Sequence, residues 1–260
     1  MNIQDLFNEN EKPLDRIPEN GGFAAIFHTI ACVGDSLASG EFESFNAEGK
    51  ISHHDQFEHS WGQYMARLTG SKVYNFSRGG MTAKEYNESF GEKMGFWNPK
   101  LAAEAYVMAL GVNDILNRKW ELGTVADIRA DWRENADTFA GHYGALIQRY
   151  KEIQPKAKFF LMTMANYPTD HKHFENTERH AALLYELAEF FPNTYVLDIR
   201  RYGPVHDPFF REKFYMGGHM NPMGYLLMGH ITAAYIDYIV RHNTADFKEV
   251  GFIGTDLKHY

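Results

Sequence analysis

The chain has 260 residues, a net charge of −8, and 44% hydrophobic against 23% charged residues. The length fits one α/β domain or two small ones, with enough apolar material for a sizeable core. The acidic balance and the lack of any Lys/Arg cluster speak against a nucleic-acid partner and against docking on an anionic membrane.

Cys32 is the only cysteine, so no internal disulfide forms. The start, Met1 to Glu11, is polar and acidic and lacks the cationic and apolar regions of a secretory signal. No stretch reaches the ~18 apolar residues of a spanning helix. The expected compartment is the cytoplasm, a removed leader aside.

Residues 1–22 read as an irregular N-terminal arm, broken by Pro13, Pro18 and Gly21-Gly22. Phe23 to Val33 is apolar and β-prone and stops at Gly34, as a buried strand feeding a turn does. Glu41 to His59 is polar and His-rich and reads as a long loop. Ser60 to Leu68 has helical spacing and ends at Gly70. Strands follow at Lys72–Phe76, Ala103–Leu110, Lys158–Met164 and Thr194–Ile199. Helices are expected over Asp131–Ile153, Thr177–Phe191 and Pro222–Arg241, the last with Asn221 as N-cap and Pro222 at its first position. A tail follows from 243 to 260, leaving one domain over 23–242. Strands alternating with helices indicate βαβ units and a parallel sheet covered on both faces. Ligands of such sheets sit at the carboxyl ends of the strands.

The residues at those ends carry the chemistry. Gly34-Asp35-Ser36-Leu37 follows the first strand and Ser77-Arg78-Gly79-Gly80 the second. Gly111-Val112-Asn113-Asp114 follows the third, and Gly218-His219-Met220-Asn221-Pro222 precedes the last helix. A serine hydroxyl is a weak nucleophile until a base takes its proton, and the tetrahedral intermediate needs donors aimed at its oxyanion. Ser36 offers the hydroxyl and His219 an imidazole able to act as base. Ser36 N–H, the glycine-rich turn at Gly80 and the Asn113 amide offer donors. Asp35 reads as a local backbone acceptor and Asp114 as a helix cap.

These four segments, in this order, resemble the sequence blocks of the SGNH hydrolases, also called GDSL esterases and lipases. Ser36, Gly80, Asn113 and His219 match the serine, glycine, asparagine and histidine of those blocks. The resemblance implies a flavodoxin-like three-layer α/β/α sandwich with a mainly parallel sheet. It also implies hydrolysis of esters, thioesters or acetylated sugars without a metal or other cofactor. The expected substrate is a small-molecule or carbohydrate ester of a short acyl group, acetyl among them. The same residues serve acyl transfer equally well. One position departs from the pattern: three residues before the histidine, where the family has Asp, stands Met216. Loss of that acid can cost on the order of 10⁴ in turnover. The Met216 carbonyl is the favoured substitute, giving a Ser–His dyad; Asp198, Asp207 and Glu212 are alternative acids, and a weakly active or non-catalytic binder is a further reading. A nucleotide-binding reading lacks the glycine spacing and the lysine of a phosphate loop.

His53, His54, Asp55 and His59 have permissive spacing for a metal. With no second cluster beside them, they read as a solvated loop, as do His171 and His173. His230 and His242 read as surface or packing residues of the last helix. Phe42, Phe45, Phe57, Trp61, Phe96 and Trp97 are candidates to wall the pocket, with core packing the commoner role of such rings.

Overall fold

The structure, a computed structural model, describes residues 3–259; Met1 and Asn2 of the arm and Tyr260 of the tail lie outside them. Five strands form the central sheet. They are β1 (Thr29–Gly34), β4 (Lys72–Ser77), β5 (Ala105–Ala109), β6 (Lys158–Met162) and β7 (Thr194–Leu197). Their order is β4-β1-β5-β6-β7 and every pairing is parallel. Taken by rank along the chain this is the 2-1-3-4-5 order of flavodoxin-like folds, as expected. Two small antiparallel hairpins complete the strands: β2 (Glu41–Phe45) with β3 (Ile51–Asp55), and β8 (Tyr215–Met216) with β9 (His219–Met220).

Alternate residues of each buried strand supply the two cores, as the two-residue period requires. Ala31, Val33, Tyr106, Met108, Phe159 and Leu161 face the helices Phe139–Ile153 and Phe174–Phe190. Ile30, Cys32, Val107, Phe160 and Met162 face the helices Trp61–Thr69 and Pro222–His242. The result is a three-layer sandwich.

Several boundaries move from their sequence expectation. The first strand starts at Thr29, because Gly22–Ile26 forms a 3₁₀ turn whose Phe23 N–H donates to Asp237 Oδ1 at 2.7 Å. The helix expected from Asp131 starts at Phe139, where Thr138 Oγ1 accepts from Gly141 N–H; Trp132–Glu134 is a separate 3₁₀ turn capped by Asp131.

The polar stretch 41–59 is not a loop. Its first part is the β2–β3 hairpin. Asn46 closes the hairpin, its Oδ1 accepting from the N–H of Glu48 and Lys50, and Gly49 takes φ 76°. Phe42 pins the hairpin to the body, edge-on to Tyr225 at 5.6 Å, while the Tyr225 hydroxyl donates to the Glu41 carbonyl.

The arm packs against the last helix. Arg241 is buried there between Glu11 and Asp237 and donates to the Leu6 carbonyl. Beyond that helix, Phe247, Val250 and Ile253 are buried in the core. Among the described residues, no helix is long and apolar enough to cross a membrane.

Candidate active site

In an open parallel sheet the crevice opens where the strand order reverses, at the carboxyl ends of the two strands that diverge there. Here these are β1 and β5, and a cleft of about 530 Å³ lies at that edge. Ser36, Gly80, Asn113 and His219 all line it. Four segments far apart in sequence therefore meet at one place.

Ser36 opens a single helical turn, Ser36–Ser39, whose N-cap is Asp35. Gly34 makes the sharp exit from β1 possible: a Cβ there would stand 2.5 Å from Ala38 Cβ and 3.0 Å from the Ala109 carbonyl. Asp35 turns back on the backbone, its Oδ1 accepting from Leu37 N–H at 3.0 Å. Burial, with Asp114 and Glu41 nearby, pushes the Asp35 carboxyl up to about 7. Asp114 is also buried and accepts from Ala83 N–H at 2.8 Å, holding the start of the Ala83–Glu85 turn. Asp35 thus caps its own turn, while Asp114 holds a turn that lies 31 residues away and is capped by Thr82.

The turn after β4 brings Gly79 and Gly80 to the cleft, with Gly80 at φ 72°. At Gly79 a Cβ would lie 1.9 Å from Glu41 Oε2, so the carboxylate occupies the space a side chain would take. Among the described residues, neither Ser36 N–H nor Gly80 N–H donates to any protein acceptor. Asn113 Nδ2 donates to the Met81 carbonyl at 3.1 Å and approaches Asp35 Oδ2 at 3.4 Å. Its Oδ1 accepts from Asn117 Nδ2 at 2.8 Å. The amide nitrogen thus faces the glycine turn.

His219 differs most from expectation. Its Nδ1 lies 2.8 Å from Glu43 Oε1, which also accepts from Gly218 N–H at 2.9 Å. The Met216 carbonyl is not the imidazole's partner: Met216 pairs with His219 only as backbone neighbours across β8 and β9. Nor does a previously named acid reach the ring. Asp198 accepts from Tyr185 Oη and Arg201 N–H, Asp207 caps the helix Pro208–Phe214, and Glu212 pairs with Lys213. The carboxylate arrives from β2, 176 residues away in sequence.

Gly217 and Gly218 admit it. A Cβ at Gly217, which takes φ 76°, would stand 2.1 Å from Glu43 Oε2, and one at Gly218 2.6 Å from Glu43 Oε1. Hydrogen bonds from Gly218 and His219 hold the Glu43 carboxyl below the usual carboxylate range, against the opposing and largest effect of burial.

The other ring nitrogen, Nε2, lies 3.1 Å from Glu41 Oε1, and His53 Nδ1 reaches the same oxygen at 2.9 Å. No hydrogen bond joins Ser36 to His219 among the described residues. His53 is therefore no bystander of a solvated loop but part of the cleft wall. His54 and His59 turn to Ser44 and Tyr64.

Sequence reasoning missed Glu41, Glu43, Tyr167, Arg211 and Tyr215, all but Glu43 lining the cleft directly. The signal available for the first two was the alternation in Glu41-Phe42-Glu43 and Ile51-Ser52-His53 about an Asn46…Gly49 turn. Of the aromatic candidates, Trp61 lines a neighbouring apolar chamber, whereas Phe96 and Trp97 pack in the core. That chamber, about 70 Å³, shares Leu37, Val112, Tyr167 and Tyr215 with the cleft.

Comparison with known proteins agrees with this layout. The family described as GDSL-like Lipase/Acylhydrolase matches residues 32–227, and the chain belongs to that family. Among solved structures it is similar to Est24, a carbohydrate acetylesterase from Sinorhizobium meliloti. There the identity is 17% and the TM-score 0.52, over 82% of this chain and 99% of that one. It is also similar to a family two carbohydrate esterase from Clostridium thermocellum in complex with cellohexaose. The identity is 15% and the TM-score 0.55, over 88% of this chain and 66% of that one. A family 3 carbohydrate esterase from Clostridium thermocellum gives 14% identity and a TM-score of 0.53, over 82% and 96% of the two chains. These likenesses establish the fold. No curated protein matches the chain by sequence.

Proposed function

We propose that the protein is a serine esterase that hydrolyses a short acyl ester, such as an acetyl group on a carbohydrate, through an acyl-enzyme on Ser36. The observation that carries this reading is the shared cleft of Ser36, Gly80, Asn113 and His219, with Glu43 on the imidazole at 2.8 Å.

Ser36 Oγ attacks the ester carbonyl while His219 Nε2 takes its proton; His219 then gives that proton to the leaving alcohol. Water, deprotonated by the same nitrogen, releases the acid. Glu43 holds the ring by Nδ1–H and offsets the charge it gains, as the acid of a triad does. The unengaged N–H groups of Ser36 and Gly80 cradle the oxyanion, joined by the Asn113 amide as it gives up its long contact to Asp35; each such donor is worth about 2.7–4 kcal/mol. Catalysis requires Nε2 to exchange Glu41 for Ser36 Oγ as substrate enters. Catalytic hydrogen bonds often form only in that complex.

The binder reading rested on a missing acid, and Glu43 supplies one. The small apolar chamber beside Ser36 suits the acyl group and favours a short one. Carbohydrate esterases among the structural relatives support a sugar on the alcohol side.

The test compares Ser36→Ala with the parent on p-nitrophenyl esters of increasing acyl length and on acetylated sugars. Turnover by the parent that is highest for the shortest acyl groups, and lost in the variant, is expected. Equal turnover by both proteins contradicts the proposal.

A further inference from the structure

We propose that Glu41, His53 and His219 form a binding site for a divalent transition-metal ion, zinc foremost, and that the bound ion takes His219 out of service as a base. The second half rests on the esterase reading above; the first does not.

The donor set is two imidazoles and one carboxylate, which suits zinc. One ligand atom from each residue lies within 4.8 Å of the others. Glu41 Oε1 stands 2.9 Å from His53 Nδ1 and 3.1 Å from His219 Nε2. Two ligands held at zinc distances on tetrahedral vertices are about 3.4 Å apart. The two contacts of Glu41 are within a few tenths of an ångström of that spacing, and the two imidazole nitrogens lie within 4.8 Å of each other. The ligands sit on paired strands: Glu41 on β2, His53 on β3 opposite Glu43 and two pairs along from Glu41, and His219 on β9.

The surroundings also suit a cation. His219 presents Nε2 to the site while Nδ1 meets Glu43, the carboxylate–histidine arrangement that orients metal-ligating imidazoles. Both nitrogens of the ring face carboxylate oxygens, an arrangement that favours a cation at the Nε2 side. Asp55, paired with Glu41 across the hairpin, adds a third carboxylate to Glu41 and Glu43. All three ligands line the cleft that Ser36 also lines.

Occupation has a direct consequence. The lone pair that would accept the Ser36 proton is then donated to the metal. The ion acts as a reversible inhibitor at the base itself.

Calorimetric titration of zinc into metal-free protein tests the site. We expect one equivalent bound by the parent and equally by Ser36→Ala, since the serine is not a ligand. Binding should be weaker by about 10–100-fold or more in His53→Ala and by about 10–100-fold in Glu43→Gln, which removes the charge behind the ligating ring. Zinc should also suppress hydrolysis of p-nitrophenyl acetate by the parent with the midpoint found by calorimetry, and EDTA should restore it. The absence of stoichiometric binding, or undiminished affinity in His53→Ala, overturns the site. Stoichiometric binding that depends on His53, in a protein inert toward esters even with EDTA, upholds the site and removes the esterase reading.

Discussion

At the scale of single residues, the two carboxylates of β2 divide the imidazole of His219 between them. Glu43 takes Nδ1 and Glu41 takes Nε2, and only the first contact is compatible with a base that serves Ser36. Glu43→Gln keeps the shape of the side chain but loses the charge and unsettles the tautomer. Its kcat on the best p-nitrophenyl ester should fall by about 10⁴ while the melting temperature changes little. A fall of less than about tenfold would show that the ring is oriented by something else. Gly217→Ala should lower kcat as well, since its Cβ would collide with Glu43 at a φ that disfavours any side chain. That Ser36, Gly80, Asn113 and His219 belong together was legible in the sequence through their resemblance to a known block pattern, and the structure brings them into one cleft. Glu43 was not, because nothing local marks a residue whose partner lies 176 positions away.

At the scale of elements, β1 and β5 announced themselves as apolar runs ended by Gly34 and Gly111, and their ends located the cleft. Fully buried strands have no polar face to confuse the pattern. The β2–β3 hairpin hid for the opposite reason. Most of it is exposed, and its two inward positions nearest the site are glutamates, so it mimics a loop in composition.

The buried carboxylates make a pH prediction. Burial raises the Asp114 carboxyl to about 7, and its Oδ2 has no hydrogen-bond partner. The folded protein therefore holds a proton that the unfolded chain loses near its ordinary value of 3.8. Between these values the native state binds more protons, so this group's contribution to stability falls as pH rises from about 4 to 7. Asp114→Asn keeps the acceptor for Ala83 N–H and removes the ionisation. Thermal melts at pH 5 and pH 8 should show the variant gaining on the parent by roughly 3–6 °C at the higher pH, about 1–2 kcal/mol. A gap independent of pH would mean that Asp114 ionises freely.

At the scale of the whole molecule, the ends of the chain belong to the body that carries the site. Arg241, in the helix that follows His219, is buried against Glu11 and Asp237, so the arm is fastened to that helix. Glu11→Ala leaves Arg241 paired with Asp237 but removes its charged partner in the arm, a loss of about 1–3 kcal/mol. The melting temperature should therefore fall by roughly 2–10 °C. An unchanged melting curve would show that the arm is dispensable.

The central claim is that Ser36 is a nucleophile activated by His219 and Glu43. Mass spectrometry of the metal-free protein after exposure to a fluorophosphonate reads this most directly. One covalent adduct on Ser36 is expected, absent from Ser36→Ala and His219→Ala and forming far more slowly in Glu43→Gln. An unlabelled parent, or an adduct that maps to another residue, would contradict it.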